Sequence, residues 1–212
     1  MRVYAETNFV LEMAFEQEQV KACEAILQLA EAKTIRLLIP AFCFIEPPEK
    51  LRRQKHERSK LQESLAKEQR EFSRYQGFTG EQQAAWSLVM GALVSSTQDA
   101  EQRFKALQQR LLKVVQVLPL TAEVIGAGAQ YIEDYGLSYP DALVMASVLS
   151  DPDLGREPSC FMNRNTKDFD DEVIIEELER RSCKLLGRFD HGLAYVRSVL
   201  NQSAGSGAGD PA

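Results

Sequence analysis

Four acidic stretches in this chain could do chemistry together. The first is Tyr4-Ala5-Glu6-Thr7-Asn8, where a short apolar run stops at a carboxylate. The second is Phe44-Ile45-Glu46, followed at once by Pro47-Pro48. The third is Pro140-Asp141-Ala142-Leu143-Val144-Met145-Ala146, and the fourth is Asn163-Arg164-Asn165-Thr166-Lys167-Asp168-Phe169. Carboxylates brought together repel one another and resist ionisation unless a cation compensates. A hard divalent ion does so, and it prefers oxygen ligands. Magnesium or manganese held among such acids would suit hydrolysis of a phosphodiester. Each acid also has a local explanation. Glu46 falls at a kink or helix end, where a dipole favours negative charge. Ser138-x-x-Asp141 fits a capping box, with Pro140 in a first-turn position. Asn165 and Asp168 suit a turn. The recurrence of acids at equivalent places is the feature that single explanations leave out.

Those places are strand ends and helix starts. Val3 to Ala5 reads as a buried strand, after which Thr7 or Asn8 can cap a helix beginning Phe9, Val10 and Met13. Gln19 to Ala32 is a helix with Val20, Cys23, Ile26, Leu27 and Ala30 on one stripe. Ile35 to Ile39 is a second, near-continuously apolar strand, as expected of a parallel strand covered on both faces. Ala41 to Ile45 begins a helix that Pro47-Pro48 interrupts. Val114 to Leu118, Ser159 to Met162 and Cys183 to Leu186 complete five strands. Helices are expected at Thr121 to Tyr135, with Gly136 ending it, at Leu137 to Leu149, and at Arg188 to Leu200. Parallel strands put their strand-to-helix junctions on one edge of the sheet. Glu6, Asp141 and the Asn165–Asp168 loop can converge there, joined by Glu46. The expected class is an α/β fold around a mostly parallel sheet.

Residues 50–113 differ in character. Glu49 to Tyr75 is polar and helical with a thin apolar seam of Leu51, Leu61, Leu65 and Phe72. Gly77 and Gly80 break it, and helices follow at Glu81 to Ser96 and Gln98 to Lys113. This stretch is expected as a helical arm inserted into a single domain spanning 1–202, with 203–212 a flexible tail. The net charge is -6, which excludes a generally basic nucleic-acid coat. Lys50 to Arg74, however, carries nine Lys or Arg against four Glu. A basic arm on an acidic body suits either a solvated face or phosphate contact. No run of about 18 apolar residues occurs, so no membrane span is expected. The chain opens on a strand with no room for a leader, so a cytoplasmic location is expected. Cys23, Cys43, Cys160 and Cys183 form no Cys-x-x-Cys, and read as small buried hydrophobes. His56 and His191 are far apart in sequence, which argues against zinc.

The four acidic stretches, in this order, resemble the PIN-domain family of metal-dependent ribonucleases. The resemblance covers residues 1 to about 48 and 114 to 187. It implies a three-layer α/β/α sandwich and endonucleolytic hydrolysis of RNA with Mg2+ or Mn2+. It implies Glu6, Glu46 and Asp141 as metal ligands, with Asp168 supplying a further carboxylate. Glu6 stands where the family usually has aspartate, and Asn165 where many members have an acid. Thr7, Asn8 and Asn165 would orient the ligands from behind. Arg164 and Lys167, with Arg52, Arg53 and Lys55 on the arm, are candidates for RNA contact. The alternative is a PIN-like scaffold that binds RNA or a protein partner without efficient cleavage. Compact toxin nucleases of the family lack such an arm. A homo-oligomer and an antitoxin-like partner stay open, and no residue pattern supports the latter.

Overall fold

The chain is seen in a computed structural model, whose described residues are 1–165, 169 and 171–206. Among them, five strands form one parallel sheet: β1 (Arg2–Ala5), β2 (Arg36–Pro40), β3 (Gln116–Leu118), β4 (Ser159–Met162) and β5 (Cys183–Leu186). The spatial order is β3-β2-β1-β4-β5. In register, Val3 lies opposite Leu37 of β2 and Cys160 of β4. All residues of β1 and β4 are buried, because helices cover both faces of the sheet. The architecture is the expected three-layer α/β/α sandwich.

The first helices are α1 (Thr7–Phe15) and α2 (Val20–Glu31), after which Ala41–Phe44 makes a short 3-10 turn. The helix that follows, α3 (Glu46–Phe72), shows that Pro47 and Pro48 start a helix instead of interrupting one. The first N–H groups of a helix have no acceptor within it, so proline sacrifices nothing there. The next helix, α4 (Gly80–Val114), is continuous where two helices were expected. Its Ser95-Ser96-Thr97 stretch is no break. The Thr97 hydroxyl donates to the Leu93 carbonyl and accepts from the Arg58 guanidinium at 2.9 Å, so the polar group is satisfied against α3. Because α4 runs through Val114, β3 begins only at Gln116.

Beyond β3 come α5 (Ala122–Tyr135) and α6 (Tyr139–Leu149). Gly136 ends α5 with φ +64°, a left-handed residue of the kind glycine supplies. A helix that the sequence reading did not assign, α7 (Glu172–Glu179), packs Ile174 and Leu178 inward, one turn apart, behind an Asp171 cap. The last helix, α8 (Phe189–Ser206), runs past Leu200 into the segment expected to be a flexible tail. All four cysteines are free and buried. Among the described residues, no helix is long and apolar enough to cross a membrane.

The sheet is pinned at the end away from the strands' carboxyl edge by a buried charge cluster. Arg2, 2% exposed, donates to Asp151 at 2.8 Å and also pairs with Asp153 and Glu157. Tyr4, two residues on and on the same face, donates its hydroxyl to Asp151 at 2.7 Å. Burial, and then the Asp151 contact, hold that phenol well above its ordinary range. The cluster ties β1 to the connection between α6 and β4. Removing one partner of such a buried set strands the other's charge. Arg2→Met is therefore expected to lower the unfolding free energy by about 3–5 kcal/mol in urea melts. A loss below about 1 kcal/mol would mean that the cluster contributes little.

Candidate metal and phosphodiester site

The strand order reverses between β1 and β4. In open parallel sheets the crevice outside the carboxyl ends at such a point is where ligands bind. Here it is a cleft of about 430 Å³, lined by residues that include Glu6, Thr7, Asn8, Glu46, Lys50, Ser138, Asp141, Arg164 and Asn165. Three helices begin at this cleft, and each brings a carboxylate in its cap or first turn.

Glu6 follows the last residue of β1 and is itself the N-cap of α1, a role expected of Thr7 or Asn8. Its extended backbone lets one carboxylate oxygen accept from the Asn8 N–H at 2.7 Å. The other accepts from the Arg164 N–H at 3.1 Å, across from the end of β4. The carboxylate is thus held between the first turn of α1 and the loop after β4. It is 6% exposed. Burial raises it from the usual 4.5 to about 7; the hydrogen bonds from Asn8 and Arg164 oppose the rise, and nearby Glu46 adds slightly to it.

Glu46 is the first residue of α3 and half-buried. Lys50, one turn along the same helix, also lines the cleft. The sequence reading did not single Lys50 out, although its i+4 spacing from Glu46 was visible. Asp141 stands in the first turn of α6, whose N-cap is Ser138 and whose second position is Pro140. The Ser138 hydroxyl donates to Asp141 at 2.5 Å, and the Asn165 amide donates to the same oxygen at 3.2 Å. The loop carrying Asn165 is shaped by Asn163, whose side chain accepts from the Asn165 N–H at 2.8 Å. Ser138 therefore caps the helix by accepting from the Asp141 N–H at 3.4 Å, and Asp141 lines the cleft.

Arg164 reaches the cleft but spends its guanidinium on two acids of its own protein. It pairs with fully buried Glu12 and, at 3.2 Å, with Glu18. Asn8 touches Glu6, while buried Thr7 lies beside the Cys43 thiol. Arg52, Arg53 and Lys55 line a separate shallow groove on α3 with Glu49, His56 and Ser59. Two of them are paired, Arg52 with Glu49 at 2.8 Å and Lys55 with Glu101 of α4 at 2.9 Å. Lys167 and Asp168 lie outside the described residues.

The sequence model of the PIN domain matches residues 3–180. The chain belongs to the PIN-domain family. The matched range includes α3 and α4. Among solved structures, VapBC2 from Rickettsia felis, bound to a DNA fragment from their promoter, is similar at 14% identity and a TM-score of 0.42. The alignment covers 88% of this chain and 98% of that one. Nothing matches among the curated proteins.

The side chains lining the PIN-domain cleft that could ligate a metal offer oxygen: the carboxylates of Glu6, Glu46 and Asp141, the amides of Asn8 and Asn165 and the hydroxyls of Thr7 and Ser138. That chemistry fits a hard divalent ion. Among the described residues, no three His, Cys, Asp or Glu side chains are gathered closely enough to hold one.

Glu6 sets a pH dependence. Its folded-state value, about 7, exceeds the unfolded value near 4.5. As pH rises, the unfolded chain therefore loses this proton first, and folding stability falls between those two values and stays lowered above them. In chelator-treated protein, the stability difference between wild type and Glu6→Gln should shift in favour of glutamine by about 3 kcal/mol from pH 4.5 to 7.5. A difference independent of pH would show that burial does not perturb Glu6.

Proposed function

We propose that this PIN-domain chain is a metal-dependent endoribonuclease whose cleft holds Mg2+ or Mn2+. The observation that supports it most is the meeting of Glu6, Glu46 and Asp141 in one cleft at the switch point of the sheet. These acids come from three elements far apart in sequence. Glu6, Glu46 and Asp141 would hold the ion, joined by Asp168, which lies outside the described residues. When bound, such an ion neutralises charge on phosphoryl oxygens and eases ionisation of water.

The chain's own groups do the positioning. Two backbone N–H groups fix the Glu6 carboxylate in place. The Ser138 hydroxyl and the Asn165 amide fix one oxygen of Asp141, which holds the carboxylate in a set orientation. Lys50 supplies positive charge beside the acids, where a phosphate must approach them. Arg164 acts through its backbone N–H on Glu6, with its side chain anchored on Glu12. Arg53 and its basic neighbours on α3 would meet the RNA backbone outside the cleft.

One observation favours the second reading, a scaffold that binds RNA or a protein partner and cleaves poorly. Both oxygens of Glu6 and one of Asp141 are already engaged within the protein, and the described acids form no chelating group. Asp141→Asn separates the readings. Asparagine keeps an acceptor for Ser138, so the fold should change by less than about 1 kcal/mol. The enzyme should lose at least about a hundredfold in manganese-dependent RNA cleavage, the upper range for groups that only support a ligand. Wild type without cleavage, with RNA binding equal in both proteins, would establish the scaffold.

The arm gives an independent check. Arg53→Ala should weaken RNA binding and reduce the slope of log affinity against log salt by about one contact's worth, roughly 0.7 for a single strand. An unchanged slope would remove α3 from the RNA path.

A further inference from the structure

Helix α1 buries Phe9, Val10, Leu11, Met13 and Ala14, and among them a carboxylate, Glu12, at 0% exposure. An apolar residue would fill that place without the cost of taking a charge out of water. Replacing a buried ion pair with packed apolar side chains is often neutral or stabilising. Stability of the fold therefore does not ask for a charge here. What the charge contributes lies in what it touches.

Glu12 is fastened on two sides. One oxygen accepts from the Gln19 N–H at 2.8 Å. The other meets, among the described residues, the Arg164 guanidinium alone. Gln19 is itself buried, and its side-chain oxygen accepts from the Phe189 N–H at 2.6 Å, at the start of α8. Phe189 in turn packs edge-on against Phe9 of α1, with ring centres 5.6 Å apart. Glu12 thus stands on a base formed by α1, the turn before α2 and the first turn of α8. A carboxylate suits this place because it offers two acceptors, one for an N–H and one for a guanidinium. Glutamine would turn its NH2 group toward one of those donors.

Arg164 carries that base to the cleft. Its backbone N–H donates to Glu6 at 3.1 Å, and the side chain of the next residue, Asn165, donates to Asp141 at 3.2 Å. One short stretch of chain therefore touches two of the cleft acids. The sheet holds the start of this stretch, where the Asn163 N–H donates to the Leu186 carbonyl at 3.0 Å. One residue on, the Arg164 guanidinium ties it to the body of the domain. Its second partner, Glu18, is exposed, and an exposed pair fixes little. Buried Glu12 is the firm anchor.

We propose that Glu12 is a positioning residue of the cleft: through Arg164 it fixes residues 163–165, and with them the Glu6 and Asp141 carboxylates, in the arrangement that receives a divalent ion. The proposal rests on the metal-dependent reading of the cleft. Glu12 itself touches neither ion nor substrate. It acts by setting where one backbone N–H and one side-chain amide stand.

The test measures amide hydrogen exchange by NMR on the chelator-treated full chain, then Mn2+ binding by calorimetry. Wild type is compared with Glu12→Gln and with the double variant Glu12→Met, Arg164→Met. The double variant leaves no charge stranded, so the protein should stay folded. In both, the amide at position 164 should exchange about tenfold faster, the worth of one ordinary hydrogen bond, while amides within β1 and β4 keep their wild-type rates. Affinity for Mn2+ should fall at least about tenfold, as when a group that orients a metal ligand is removed. Glu18→Gln should leave both measurements as in wild type. Exchange at position 164 or Mn2+ affinity unchanged in both variants overturns the proposal. So does a double variant that fails to fold, since the pair would then serve the fold. Wild type that takes no Mn2+ instead refutes the metal reading of the cleft. The exchange measurement, which uses no metal, tells that failure apart from a failure of Glu12 to hold the loop.

Discussion

A parallel sheet sends every strand in the same direction, so every strand-to-helix junction lies on one edge. In this chain that constraint gathers the site. The end of β1 delivers Glu6, the turn after β2 delivers Glu46 at the start of α3, and the end of β4 delivers the Asn163–Asn165 loop. Asp141 joins them from the first turn of α6, beside Asn165. Because β1 lies between β2 and β4, connections leaving its two sides open a crevice at its carboxyl end. The groups that line it come from residues 6 to 165, and no local segment could form it alone.

The same geometry explains how acids are tolerated there. Each helix that starts at the cleft points its N-terminus, and the partial positive charge of its unpaired N–H groups, toward it. Glu6 takes its backbone hydrogen bonds from such a terminus and from the β4 loop, yet burial still outweighs them and lifts its proton affinity. The balance leaves a carboxylate that is firmly placed but unwilling to stay charged without help. A cation in the cleft would provide that help, which is why the electrostatics and the family membership point to the same chemistry.

The rest of the chain is divided between fixing this edge and extending away from it. The cluster of Arg2, Tyr4, Asp151 and Asp153 locks β1 at its opposite end, so the strand that carries Glu6 cannot slide relative to β4. The paired helices α3 and α4 begin at the cleft with Glu46 and return to the core through Phe104, Leu107 and Leu111. Their distal parts are thinly packed. Basic residues gather on α3 and uncharged ones on α4, so the two helices present chemically opposite outer surfaces.

The sequence alone determined the strands, their parallel character and the acids at their ends. Continuous apolar runs report burial directly; Glu6 and Glu46 each follow such a run, and Asp141 opens one. Local chemistry was also legible where it is local: Thr121 and Ser138 cap their helices, and Gly136 ends one. Other features depended on partners distant in sequence. Glu6 caps α1 through the nearby Asn8 N–H, but its other oxygen is held by a backbone donor at Arg164, 158 residues away. That Arg164 is paired within the protein follows from Glu12, which an amphipathic reading of α1 would leave in solvent. The prolines after Glu46 read as breakers because propensity does not know where a helix starts. The continuity of α4 through Thr97 needed Arg58 of α3 to satisfy a hydroxyl. Tertiary structure alone decided that Lys50 faces the acids while Arg52 and Lys55 do not, since successive residues of a helix turn by about 100° and only packing fixes which side meets the cleft.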